Sequence, residues 1–185
     1  MIIEILNEAD QKMDKAVGVA REEFAAIRAG RANPSMFAKL TADYYGTPTL
    51  IQQLASFTSP EARIILVSPF DVTAMPAIEK AIRESDLGVN PSNDGKMIRC
   101  VFPELTEERR KEYIKVARTK AEEGRVAVRN IRRHAKQELE RLEKDGEVGK
   151  DDATGAEKRL DGMTKKHTDQ IDELLKNKEA ELLEV

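Results

Sequence analysis

The chain has 185 residues, a formal net charge of −3, 40% hydrophobic and 35% charged residues, and 4% aromatics with no Trp. This is a soluble, strongly helical composition, enough for one large or two small domains and poor in the aromatic material of a deep enzyme pocket. Cys100 is the only cysteine, which excludes an intramolecular disulfide and a cysteine-based metal cluster and fits a reducing compartment. The opening "MIIEILNEADQKMDK" carries acids where a signal peptide would be basic and then apolar, and there is no apolar run of membrane length, so the expected location is cytoplasmic.

From Ile2 to Ala29 the apolar residues Leu6, Ala9, Met13, Ala16, Ala20, Phe24 and Ile27 recur at steps of three or four, the pattern of a helix that buries one stripe. Gly30, able to turn left-handed, and Pro34 mark its end. Between Pro34 and Pro103 lie all seven prolines and four of the five phenylalanines, and the periodicity shortens. Strands are expected at 37–45, 49–57, 63–70 and 97–102, with a short helix at 73–86, giving a small β/α/β sandwich. From Leu105 to Asp145 a proline-free stretch predicts a helix roughly 60 Å long, capped by Thr106 with Glu107 and Glu108 in its first turn. Its seam is Tyr113, Ala117, Ala121, Gly124, Val128, Ile131, Ala135, Leu139 and Leu142. The turn "DGEVGKDD", with Asp151 or Asp152 as cap, leads to a third helix whose seam is Ala153, Ala156, Leu160, Met163, His167, Ile171, Leu174 and Leu182.

Three helices with one apolar stripe each are most simply buried against one another. The expected fold class is therefore α+β: an elongated three-helix bundle formed by 1–30 and 105–185, carrying an inserted β/α/β domain at 31–104. Two adjacent linkers, Gly30, Arg31, Ala32 and Asn33 on one side and Pro103, Glu104 and Leu105 on the other, resist twisting yet permit bending and define a two-stranded hinge.

The long helix has a second, cationic face. Arg118, Arg125, Arg129, Arg132 and Lys136 fall within roughly 60° of one another, about a quarter turn from the seam. Residues 109–136 hold eleven Lys or Arg against three acids, and 137–185 hold nine against fifteen. The preponderance of Arg points to phosphate, whose oxygens the guanidinium fork pairs two at a time. The plain alternative is a solvated face or interhelical ion pairs.

The motifs "RAGRANPSMF", "DYYGTP", "SDLGVNPSNDG", "LTEERRKE" and "RVAVRNIRR", in this order over the whole chain, resemble the bacterial ribosome recycling factor family. The resemblance implies an L-shaped molecule that binds large-subunit rRNA of the ribosome and, with elongation factor G and GTP hydrolysis by that partner, splits post-termination ribosomes into subunits. It implies no enzymatic activity of its own, no cofactor or metal, no membrane or DNA partner, and a monomer. The family's RNA-facing arginines map onto Arg129 and Arg132, with Arg28 and Arg31 of "IRAGRA" as further contacts; helix geometry adds Arg125 and Arg133. Ala29 and Gly124 depart from the family pattern, and Gly124 costs the helix roughly 1 kcal/mol.

Catalytic and metal motifs fail on spacing. "GVNPSNDGKM" lacks P-loop spacing and the hydroxyl after Lys96. As an EF-hand start with Asn90, Ser92, Asp94 and Gly95 it would need a Glu where Val101 stands. His134 and His167 have no second ligand at helical spacing, Cys100 reads as a small buried strand residue, and Tyr44 and Tyr45 as one inward and one outward ring. The competing class is a helical adaptor or chaperone-like protein that engages other proteins through its seams.

Overall fold

The computed structural model describes residues 1–184. In chain order the elements are α1 (Ile2–Ala26), β1 (Thr41–Tyr44), β2 (Thr47–Leu50), α2 (Ile51–Leu54), β3 (Ala55–Glu61), β4 (Ile64–Pro69), α3 (Met75–Arg83), β5 (Ser92–Asn93), β6 (Ile98–Val101), α4 (Glu107–Lys144) and α5 (Lys150–Leu183), with 3₁₀ turns at Pro34–Phe37 and Val72–Ala74. The chain divides into two compact units: 1–24 with 115–179, and 25–114 with the C-terminal residues from Ala180.

The first unit is helical. Leu6, Met13, Val17 and Ala20 of α1, Ala121, Val128 and Leu139 of α4, and Leu160 and Ile171 of α5 are buried, so each stripe is covered by the other two helices. Val17, not Ala16, takes the seam position in α1. A β-carbon on Gly124 would stand 3.1 Å from Ile171 Cδ1 and 3.5 Å from Ala20 Cβ. The glycine therefore sits where the three helices crowd, and α4 runs through it as one helix. α5 starts at Lys150, with the Gly149 carbonyl accepting from the Ala153 amide. Asp151 and Asp152 thus occupy its first turn instead of capping it, where the helix dipole still favours their charge.

The second unit holds an antiparallel sheet of order β3-β4-β6-β5 and a separate β1-β2 hairpin. Phe37, Ile51, Ile65, Ile78, Ile82, Ile98, Cys100 and Phe102 form its core with α3; the Phe37 ring lies 5.3 Å from Phe57 and edge-on to Phe102 at 6.1 Å. Three expectations change here. The run 49–57 is broken by a helical turn because Ile51 and Leu54, three apart, both turn inward. Phe37 closes a 3₁₀ turn capped by Asn33, whose Oδ1 accepts from the Ser35 amide at 2.9 Å. α1 ends at Ala26, and Gly30 does not take a left-handed conformation. Tyr45 and Gly46, at φ of 50° and 80°, make the two-residue hairpin turn whose twist suits antiparallel strands. Tyr44 reaches Asp71 with its hydroxyl at 2.9 Å, and Tyr45 is left 82% exposed.

At the entry of α4, Thr106 Oγ1 accepts from the Arg109 amide at 3.2 Å, the expected cap.

Candidate nucleic-acid interface

Steps of three and four along α4 bring Arg118, Arg125, Arg129, Arg132 and Lys136 to one edge of the helix, and α5 places carboxylates opposite them. Arg118 Nε donates to Glu179 at 2.8 Å, and Arg132 Nε to Asp161 at 2.7 Å. Arg125 reaches Asp172 Oδ1 with Nε at 2.7 Å and Nη2 at 2.6 Å. Within α4, Glu122 accepts from Arg125 at 3.1 Å and from Arg129 at 3.2 Å. Lys136 stands 3.7 Å from Glu140 and 3.9 Å from Glu157.

Burial disfavours the charge on Arg125, but the bonds to Asp172 and Glu122 outweigh it and raise its pKa above the ordinary value. The same contacts, from Arg125 first and then Arg129, hold Glu122 below the usual carboxylate range. Arg125, Arg129 and Arg132 line one wall of an open groove of about 460 Å³, and Asp161, Thr164 and Lys165 contribute to the other. The side chains of Arg125 and Arg132 are 21% and 34% exposed, so both keep a solvent-facing edge while paired. Ion pairs this wet are worth about 0.2–1 kcal/mol each, which makes them exchangeable for other anions. Arg133 is exposed and without an ion pair among the described residues.

Arg28 and Arg31 belong to the second unit. Arg31 is exposed. Arg28 departs from the expectation for a surface contact: it is 6% exposed, its Nη2 donates to the Pro103 carbonyl, and its guanidinium lies 5.5 Å from the Phe102 ring centroid. Burial lowers its pKa, with Tyr113 opposing and Arg109 and Arg63 adding to the effect. Among the described residues its Nε is buried with no hydrogen-bond partner. Its contacts here are internal, to Phe102 and Pro103.

Around it, the Ala32 amide donates to the Ala62 carbonyl and the Phe102 amide to the Arg63 carbonyl, each at 2.7 Å, while Leu105 is buried and Glu104 exposed. Asp94 Oδ1 accepts from the Lys96 and Met97 amides at 2.9 and 2.8 Å, which commits the loop around Gly95 to a turn. Burial pushes the Cys100 thiol up to about 12, leaving it unreactive.

Sequence reasoning named interhelical ion pairs as the plain alternative for this edge, and such pairs are present, but it did not say which acids make them. Their signal was the excess of carboxylates after residue 137, but which arginine each one meets depends on the axial offset of two helices. It also missed that α1 supplies Asp10 and Asp14 to His167 of α5, at 3.6 and 2.7 Å.

Architecture and site define an α+β chain whose accessible chemistry is charge presented on helices; among the described residues no helix is long and apolar enough to cross a membrane. The chain belongs to the ribosome recycling factor family, whose sequence pattern matches residues 20–183. It is 78% identical over 185 residues to the ribosome-recycling factor of Nocardioides sp. and 63% identical to that of Streptomyces coelicolor, with each chain covered in full. A solution structure of the ribosome recycling factor, 40% identical, superposes with a TM-score of 0.79 over 100% of this chain and 98% of the other. A second structure, 41% identical with a TM-score of 0.70 and full coverage of both chains, describes the T. thermophilus ribosome recycling factor and the E. coli elongation factor G bound to the E. coli post-termination complex.

Proposed function

We propose that this protein recycles cytoplasmic ribosomes as a monomer, binding large-subunit rRNA through Arg125, Arg129, Arg132 and Arg133, with Arg31 as a contact from the second unit, and acting together with elongation factor G and that partner's GTP hydrolysis. The observation that carries the reading is the row of carboxylates already seated on the arginines. Each carboxylate oxygen stands where a phosphate oxygen would bind, and each wet ion pair can be traded for one. Family membership and a relative bound with elongation factor G on a post-termination complex support the same reading. An adaptor would need a free seam, but Met13, Leu139, Leu160 and Ile171 are consumed inside the helical unit.

The second part of the reading is bending at Gly30, Arg31, Ala32 and Asn33 and at Pro103, Glu104 and Leu105, between a helical part at 1–30 and 105–185 and the insert at 31–104. A crosslink between positions 32 and 104 then slows recycling without weakening RNA binding, and unchanged turnover of the locked protein removes bending from the mechanism.

The main test is Arg132→Glu, which abolishes subunit splitting while the circular dichroism of the fold is kept; a folded variant that still splits ribosomes overturns the assignment. Neutralising three to five phosphates predicts log–log salt slopes of about −2 to −4 for ribosome association.

A further inference from the structure

His167 lies on the α5 seam and is completely buried, and both of its ring nitrogens are aimed at oxygens. Nδ1 is 2.7 Å from the Met163 carbonyl, which can only accept, so Nδ1 carries a hydrogen. Nε2 then faces Asp14 Oδ1 at 2.7 Å and Asp10 Oδ1 at 3.6 Å. That second nitrogen thus faces the two partly exposed carboxylates of α1, and one cation shared among the three donors satisfies all of them. Neither Asp10 nor Asp14 has another ion-pair partner among the described residues, so no side chain besides His167 supplies that charge.

We propose that Asp10, Asp14 and His167 form a binding site for a borderline divalent cation of the Zn²⁺ type. The three donor atoms lie within 4.8 Å of one another, close enough for rotation of the exposed carboxylates to bring all three onto one ion with ligand bonds of about 2.0–2.2 Å. Asp10 and Asp14 are four apart, which places both on one face of α1. The Nδ1 hydrogen bond to a main-chain carbonyl fixes the tautomer and ring orientation that a metal-bound histidine needs. The Asp10 and Asp14 side chains are 42% and 63% exposed, which gives the ion a path in and leaves room for water to complete its shell. An imidazole nitrogen selects Zn²⁺, Co²⁺ or Ni²⁺ over Mg²⁺ and Ca²⁺. The bound ion joins α1 to α5 across 153 positions of sequence and stabilises the helical unit by mass action. The competing occupant of the space between Nε2 and the carboxylates is a proton, which the test distinguishes from a metal ion.

The test is calorimetric titration of the chelator-stripped full chain with ZnCl₂ in two buffers of different ionisation enthalpy, paired with thermal melts. The expected result is a single site, with the same binding enthalpy sign in both buffers and a melting temperature that rises with Zn²⁺ and falls back with EDTA. Asp10→Asn and Asp14→Asn sit at partly exposed positions and keep the fold by circular dichroism; each weakens binding at least about tenfold and removes the thermal shift. Absence of binding by the stripped protein, or undiminished binding by both Asn variants, overturns the proposal. So do ¹⁵N ring signals of His167 that stay doubly protonated under excess Zn²⁺, because the place then belongs to a proton.

Discussion

The guanidinium of Arg28 donates to the carbonyl oxygen of Pro103, joining the chain just past α1 to the chain just before α4 across 75 positions. Because Arg28 is enclosed and stacked on Phe102, its removal is a stability event. Arg28→Ala lowers unfolding stability by roughly 2–3 kcal/mol, through a lost charge-assisted bond and an emptied site. Urea titration measures the loss. The salt slope of ribosome association stays at the wild-type value in the folded variant; a shallower slope with unchanged stability would place Arg28 on RNA instead.

Asp161 and Asp172 compete with any external anion for Arg132 and Arg125. Asp161→Asn and Asp172→Asn each strengthen ribosome association by about two- to fivefold at low salt, the factor corresponding to one wet ion pair. Sedimentation with ribosomes checks this, and weaker association of both variants would show the acids to be positioning the arginines.

At Gly124 two effects oppose. Alanine raises helix propensity by about 1 kcal/mol, but its methyl group meets Ile171 Cδ1 at 3.1 Å inside a filled core. Gly124→Ala is therefore within about 1 kcal/mol of neutral in the wild type, while in an Ile171→Val background, which deletes that δ-carbon, it stabilises by about 1 kcal/mol. Gly124→Leu overpacks the site and costs at least about 2 kcal/mol. Denaturant midpoints of the four variants read the coupling directly.

Asp71 accepts from Thr73 Oγ1 at 2.6 Å, from the Thr73 amide at 2.9 Å and from the Tyr44 hydroxyl at 2.9 Å, and these bonds, the Thr73 side chain foremost, hold its pKa below the ordinary value. Between the folded and the ordinary value the unfolded chain binds more protons, so stability rises with pH there. The contribution is complete above the ordinary carboxylate range and lost as pH falls through the folded value. The Tyr44 phenol is shifted upward, first by its bond to Asp71, so its share persists through neutral pH and is lost as pH rises through the raised value. The urea midpoint of Asp71→Asn thus lies below that of the wild type at about pH 6, and the gap narrows towards about pH 2.

The long helices were legible because Met13, Ala121, Leu139 and Ile171 repeat at a period that only a helix can bury on one side, and Thr106 announced the start of α4 by its side-chain chemistry. The short elements were harder. Ile51 and Leu54 read equally well as strand residues until the core beneath them fixes a helical turn, and β5, two residues long, exists only because β6 pairs with it. At the candidate interface the periodicity of α4 placed Arg125, Arg129 and Arg132 together, but no pattern within one segment reveals that Asp172 and Asp161 arrive from α5. For the same reason the burial of Arg28 was hidden, since Phe102 and Pro103 lie far along the chain.

Carboxylates resting on the basic edge also set a threshold for what can displace them. A lone phosphate on a flexible tail gains little by ousting one acid, because the neighbouring arginines remain satisfied. A rigid surface offering several phosphates at the helical spacing of Arg125, Arg129 and Arg132 replaces the acids together. On the proposed reading, a chain with net charge −3 thereby ignores stray transcripts and answers only to RNA that is already folded.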